Sequence, residues 1–210
     1  MTSRAAALST ATALALMLAA CGGAPDAGET ETAGETETAE APSDHIAQAT
    51  SHAEQAANHG GMGHAEVLVE HATQALTHAE AALAGMPNPH ATKAAASLKE
   101  AVEHGNMGHA EVATGKTNEA ITHLAVSTHV AQAVQHGQEA VRHGDMGHAE
   151  VLVEHATQAM THAQAALDLM QDPHIQMAVD GLKSAVDHGG MGHADVATEQ
   201  AKGALAHLHM

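Results

Sequence analysis

Histidine recurs every seven residues in this chain, and the recurrence passes through a turn. His45, His52 and His59 precede Gly60-Gly61-Met62-Gly63, and His64, His71 and His78 follow it. Seven residues are close to two helical turns, so each set of three forms one stripe along a helix. In an antiparallel helical hairpin, residues at one level share a constant index sum. His59 with His64, His52 with His71 and His45 with His78 all meet the same sum. A hairpin closed by the glycines therefore sets the two stripes in register as three rungs.

The turn itself occurs four times, at His59–His64, His104–His109, His143–His148 and His188–His193. The first and third copies lie 84 residues apart, as do the second and fourth, while neighbours alternate between 45 and 39. The chain is thus a tandem of two similar halves, each built from two versions of one unit. The second hairpin pairs His104 with His109 and His90 with His123, with Ser97 and Lys116 at the middle level. The second half pairs His143 with His148, His136 with His155 and His129 with His162. It then pairs His188 with His193 and His174 with His207, with Gly181 and Gln200 between them. Twenty of the 21 histidines stand on this ladder, and His209 lies off it.

The punctuation predicts helices throughout. Ser43 or Asp44 suits the cap of a first helix that runs to His59, where Gly60 ends it and Gly63 lets the chain turn back. A second helix from His64 carries Val67, Leu68, Ala72, Ala75, Leu76, Ala79 and Leu83 on one stripe. Pro87-Asn88-Pro89 stops it and starts a third, with Asn88 as cap and Pro89 at the first helical position. The third ends at His104, and a fourth follows from His109 to about Ser127. The second half repeats the plan from Thr128 to His143, His148 to Met170, Pro173 to His188, and His193 to the end. Connections this short make neighbours antiparallel. The expected fold class is all-α, two tandem antiparallel four-helix bundles over residues 44–127 and 128–210. No Gly or Pro interrupts His123 to Val134, so the fourth and fifth helices are either divided at Ser127-Thr128 or one long bent rod.

The chain contains no Phe, Tyr or Trp. Alanine-rich cores bring helices close but bury little area per residue, at about 25 cal/mol per Å², so modest stability without a ligand is expected. Residues 1–20 read as an export signal, because Arg4 precedes an apolar run from Ala11 to Ala20 that is too short to span a bilayer comfortably. Leu18-Ala19-Ala20-Cys21-Gly22 resembles the lipobox of bacterial lipoproteins, in which Cys21 would carry a lipid and become the mature N-terminus. The expected location is the cell envelope, on the periplasmic face, anchored in the membrane by that lipid. Residues 21–43 hold almost nothing apolar and read as a disordered acidic tether. Cys21 is the only cysteine, which excludes an intrachain disulfide and a thiolate metal site in the folded part.

The formal net charge is −18, and seven of the 25 acidic residues lie between Gly22 and Asp44. The remaining 18 still outnumber six Lys and Arg. That balance argues against nucleic acid and suits a cation. Histidine at this abundance is a composition associated with metal binding. Histidines seven apart on one helix are separated by about 10.5 Å of rise. One metal with bonds of about 2.0 to 2.1 Å cannot bridge that distance, so sites must form across helices. Each rung supplies two imidazoles, with further ligands drawn from water, carboxylates, the facing hairpin or methionine. Nitrogen donors rank Cu(II) first, with Ni(II) and Zn(II) weaker. The ligands must be neutral, so binding weakens as pH falls through about 6.5.

Other residues carry less information. Glu66, Glu70, Glu111, Glu150, Glu154 and Asp195 recur beside ladder histidines, as outer partners that orient an imidazole or as negative field. Glu100, Glu119 and Glu139 precede a histidine by four, but Ser184, Gly203 and Gln55 stand at their counterparts, and the pattern assigns them no role. Met62, Met107, Met146 and Met191 are either soft ligands that favour copper or apolar plugs at the bundle ends. The plug is the expected reading, because flexible methionine commonly fills gaps. The paired Glu-x-x-His motif of di-metal enzymes is absent from every helix, so catalysis is not expected. The rival function is a pH-responsive interaction module, since stacked histidines gain charge together near neutrality.

The heptad histidines, the His-Gly-x-x-Gly-His turns, the Glu70-His71-Ala72 step and the close at Ala120-Ile121-Thr122-His123-Leu124 together resemble the small histidine-rich periplasmic metal-binding proteins, the SmbP-like family. The resemblance spans His45 to Leu124 and again His129 to Leu208. It implies a four-helix bundle that reversibly binds several divalent metals, copper foremost, for scavenging, storage or tolerance. The tandem arrangement and the lipobox depart from a single-domain soluble form.

Overall fold

Four glycine-closed turns and three proline-started helices shape the chain. The computed structural model describes residues 41–210, so the expected export signal, Cys21 and the expected tether up to residue 40 lie outside the described residues. Seven helices are present among them: α1 (Pro42–Gly61), α2 (Ala65–Gly85), α3 (Pro89–Asn106), α4 (Ala110–Asp145), α5 (Ala149–Leu169), α6 (Pro173–Gly190) and α7 (Ala194–Leu208). The all-α bundle expectation holds. No helix among the described residues is long and apolar enough to cross a membrane.

The helix starts follow the local chemistry with one exception. Asn88 Oδ1 accepts from the backbone amides of His90 and Ala91 at 2.9 and 3.3 Å. Asp172 Oδ1 does the same for His174 and Ile175 at 2.8 and 3.4 Å. Both satisfy orphan donors of the first turn, as their position before Pro89 and Pro173 predicts. At α1 the expected cap by Ser43 or Asp44 does not form. Ala41 is the N-cap without a side-chain bond, and Pro42 occupies the first turn. Proline presets the helical backbone angle and has no amide to leave unpaired, so it starts the helix ahead of those polar side chains.

Each glycine turn is a complete helix-closing motif. Gly63 has φ +79°, a left-handed conformation in which a side chain is strained. Its amide donates to the Gly60 carbonyl at 3.0 Å, and the His64 amide donates to the His59 carbonyl at 2.9 Å. These two bonds define the Schellman closure. The His104, His143 and His188 turns repeat both bonds. Gly60 has a different duty, since a Cβ there would collide with Thr114 and Leu68. It admits α4 to close packing.

The helices α1, α2, α3 and the first part of α4 pack as one antiparallel bundle. The second part of α4 packs with α5, α6 and α7 as another. The helix α4 is continuous over 36 residues, so Ser127 and Thr128 lie inside it and the single-rod alternative is the one observed. Its buried face changes partners between Leu124, which belongs to a core with Ile46 and Leu98, and Val126, which belongs to a core with Ile175 and Leu182. Alanine fills most of both cores, with Leu68, Leu98, Leu124, Leu152 and Leu182 the largest fully buried side chains. Small side chains at the contacts let helix backbones approach closely, which brings histidines on adjacent helices within reach of one another.

Candidate metal centre

All ten histidine pairs expected from the index sums are adjacent in the structure. In the first half, ring centroids are 5.5 Å apart for His45–His78, 5.8 Å for His52–His71 and 5.8 Å for His59–His64. The α3–α4 hairpin adds His90–His123 at 5.7 Å and His104–His109 at 5.8 Å. The second half gives His129–His162 at 5.8 Å, His136–His155 at 5.9 Å and His143–His148 at 5.8 Å. The α6–α7 hairpin closes with His174–His207 at 6.3 Å and His188–His193 at 6.0 Å.

The rungs also touch one another. His52 also stacks on His78 at 5.7 Å and 3°, and His59 on His71 at 5.6 Å and 12°. His136 and His162 stand at 5.7 Å and 2°, His143 and His155 at 5.6 Å and 11°. Six rings in each of the α1–α2 and α4–α5 hairpins therefore form one continuous zigzag. The cause lies in side-chain direction. Every Cα–Cβ bond tilts toward the N-terminus of its helix, so on antiparallel helices the rings of a level pair lean in opposite directions. His52 leans toward the level of His78 and His78 leans back, which makes the diagonal contact as close as the rung. In the other two hairpins the middle level holds Ser97 and Lys116 or Gly181 and Gln200, and each pair stands alone.

The donor atoms suit a metal. Nδ1 faces Nδ1 at 3.3 Å in His45–His78, 3.4 Å in His90–His123 and 3.5 Å in His104–His109. Two nitrogens on one metal, each about 2.0 to 2.1 Å away at the tetrahedral angle, lie roughly 3.4 Å apart. The buried Nδ1 atoms of His52, His59, His71, His129, His143, His155, His174, His188 and His207 have no hydrogen-bond partner. An unpaired buried nitrogen is costly, and a lone pair in that position favours a cation. The residues present therefore fit a divalent metal.

Protonation favours the same state. Burial, then the neighbouring His78 and His71, lowers the His52 pKa, and burial with His129 and His136 does so for His162. Burial and Lys93 lower His90 and His123, against opposing pulls from Asp172 and Glu119 respectively. Burial, then Arg142 and His155, lowers His143. These imidazoles stay neutral at neutral pH, as ligation requires.

The structure also places residues that the pattern left aside. Glu139, His143 and His155 offer ligand atoms that all lie within 4.8 Å of one another. Glu139 thus stands beside two ladder histidines, a proximity that its spacing alone did not assign. The signal was its position four residues before His143 on the same helix face. Glu100 and Glu119 are instead held by Lys116 Nζ at 2.8 and 3.1 Å. The loop methionines do not plug the bundle ends. Met62, Met107, Met146 and Met191 are 48 to 60% exposed, because each is the capping residue before a turning glycine and points away from the core. His209, off the ladder, lines an apolar cavity of about 400 Å³ with Ile46 and Val134. His90, Asp172, His174 and His207 line a cavity of about 250 Å³ where the two bundles meet.

The family model described as small metal-binding protein matches residues 8–127 and again residues 125–210. The first match begins in the N-terminal segment, ahead of the histidine hairpins that carry the resemblance in the sequence. No curated protein matches the chain.

Proposed function

Because the chain belongs to the small metal-binding protein family, we propose that it binds and buffers divalent transition metals outside the cytoplasm, copper foremost, with Ni(II) and Zn(II) weaker. The observation that carries this reading is the convergence of buried, unpartnered Nδ1 atoms along two histidine zigzags. Imidazole nitrogens on a scaffold without cysteine favour the later first-row divalent ions. Repetition of near-equivalent pairs suits capacity and exchange, which is what storage or scavenging requires and catalysis does not. The lipobox at Cys21 would hold the protein on the periplasmic face of the envelope, with the acidic tether as spacer.

Calorimetric titration of the metal-free protein with Cu(II) at neutral pH tests the reading. Several ions per half are expected. Uptake of one ion or none per half removes storage as the function.

A further inference from the structure

The two halves differ beside one histidine pair. His59 and His71 in the first half stack at 5.6 Å and 12°, and His143 and His155 in the second at 5.6 Å and 11°. The ring geometry is the same. One turn before His143 the second half has Glu139, whose carboxylate completes a cluster with both rings within 4.8 Å. One turn before His59 the first half has Gln55, whose amide nitrogen donates to the Ser51 carbonyl at 3.2 Å.

The Glu139 edge already receives a cation. Arg142 Nε donates to Glu139 Oε2 at 2.9 Å, Arg142 Nη2 pairs with the same oxygen, and Nη2 lies 3.1 Å from His143 Nε2. A glutamate carboxylate is an anion at neutral pH, and this one lies within 4.8 Å of ligand atoms of both rings. A carboxylate has two oxygens and about four lone-pair sites, so one oxygen can keep the guanidinium while the other ligates. The first half places Asn58 where Arg142 stands, so it has neither the anion nor its orienting partner.

We infer that Glu139, His143 and His155 form a three-donor site for a divalent ion, and that this site fills before its counterpart at His59 and His71, which lacks the carboxylate. The inference rests on the metal-binding reading above. Two imidazoles and a carboxylate match the donor set of open Zn(II) sites and suit Cu(II) and Ni(II). A hard oxygen donor adds nothing for Cu(I), so the site selects the divalent state. The two halves are then unequal: one holds an anchoring site, the other a run of weaker histidine pairs.

The test uses the full chain without its lipid and Zn(II) alone, with imidazole proton resonances and calorimetry as readouts. In the natural sequence, the first equivalent is expected to shift His143 and His155 before His59 and His71. Glu139→Gln is expected to weaken the His143 and His155 site about tenfold or more and abolish that order. Gln55→Glu is expected to create a second early site at His59 and His71. Unchanged helical circular dichroism in both variants confirms that the fold is intact. If Glu139→Gln leaves the order and the affinity of that site unchanged, the three-donor site is wrong although metal binding stands. If the natural sequence takes up no Zn(II) here and no Cu(II) in the calorimetric titration above, the metal-binding reading itself fails.

Discussion

The carbonyl of His59 accepts the amide of His64 at 2.9 Å, and the rings of the same two residues lie 5.8 Å apart. One helix-closing motif thus makes the turn and the end rung together. In a Schellman closure these two positions usually carry an apolar contact that seals the helix end. Here histidines take that place in all four turns, so register and ligand pairing are fixed by the same backbone geometry.

The glycines of the turn should fail in different ways. Gly63→Ala places a Cβ on a left-handed backbone and is expected to cost about 1 to 2 kcal/mol. Gly60→Ala keeps a helical backbone but drives a methyl into Thr114 and Leu68, with a cost of about 1 to 3 kcal/mol from overpacking. Urea unfolding of the metal-free variants measures both. A Gly60→Ala protein as stable as the parent would show that α4 does not press on this turn.

Acid should destabilise the metal-free fold. His52, His90, His123, His143 and His162 have folded pKa values below the ordinary 6.5. The unfolded chain then binds more protons than the folded one, so stability is complete above 6.5 and is lost as pH falls through the folded values. Urea midpoints at about pH 7.5 and about pH 5.5, one unit either side of the unperturbed value, should fall toward the acid side. An unchanged midpoint would mean these five imidazoles titrate as they do in the unfolded chain.

Ser127 offers the opposite sign. Its hydroxyl is fully buried in the middle of α4 and has no hydrogen-bond partner. Removing an unsatisfied buried hydroxyl and gaining helix propensity should make Ser127→Ala about 1 kcal/mol more stable. Thermal melting should show a higher midpoint. A lower one would indicate that the hydroxyl is paired in solution.

Metal capacity should follow the zigzag and not the loop. His52→Ala with His71→Ala removes two rings that between them touch His59 and His78, so it interrupts the whole first-half array. Met62→Leu changes an exposed side chain and is expected to leave Cu(II) stoichiometry as it was. Titrating the two variants side by side decides between seam and loop. Loss of a Cu(II) equivalent in Met62→Leu would make the loop a site.

The heptad spacing and the four glycine turns determined by themselves which helix faces which, and which histidines share a level. Both depend on helical rise and on local closure, which are properties of nearby residues. Asn88 and Asp172 could be read as caps for the same reason. Three features waited on the tertiary structure. The zigzag exists because Cβ vectors on antiparallel helices lean in opposite directions, and an index sum carries no such direction. The union of the fourth and fifth helices depends on which core the face of α4 meets at Leu124 and at Val126. The place of Glu139 depends on a ring contributed by another helix. Sequence periodicity fixes position along a helix, whereas the reach of a side chain across a helix interface is decided only once both helices are packed.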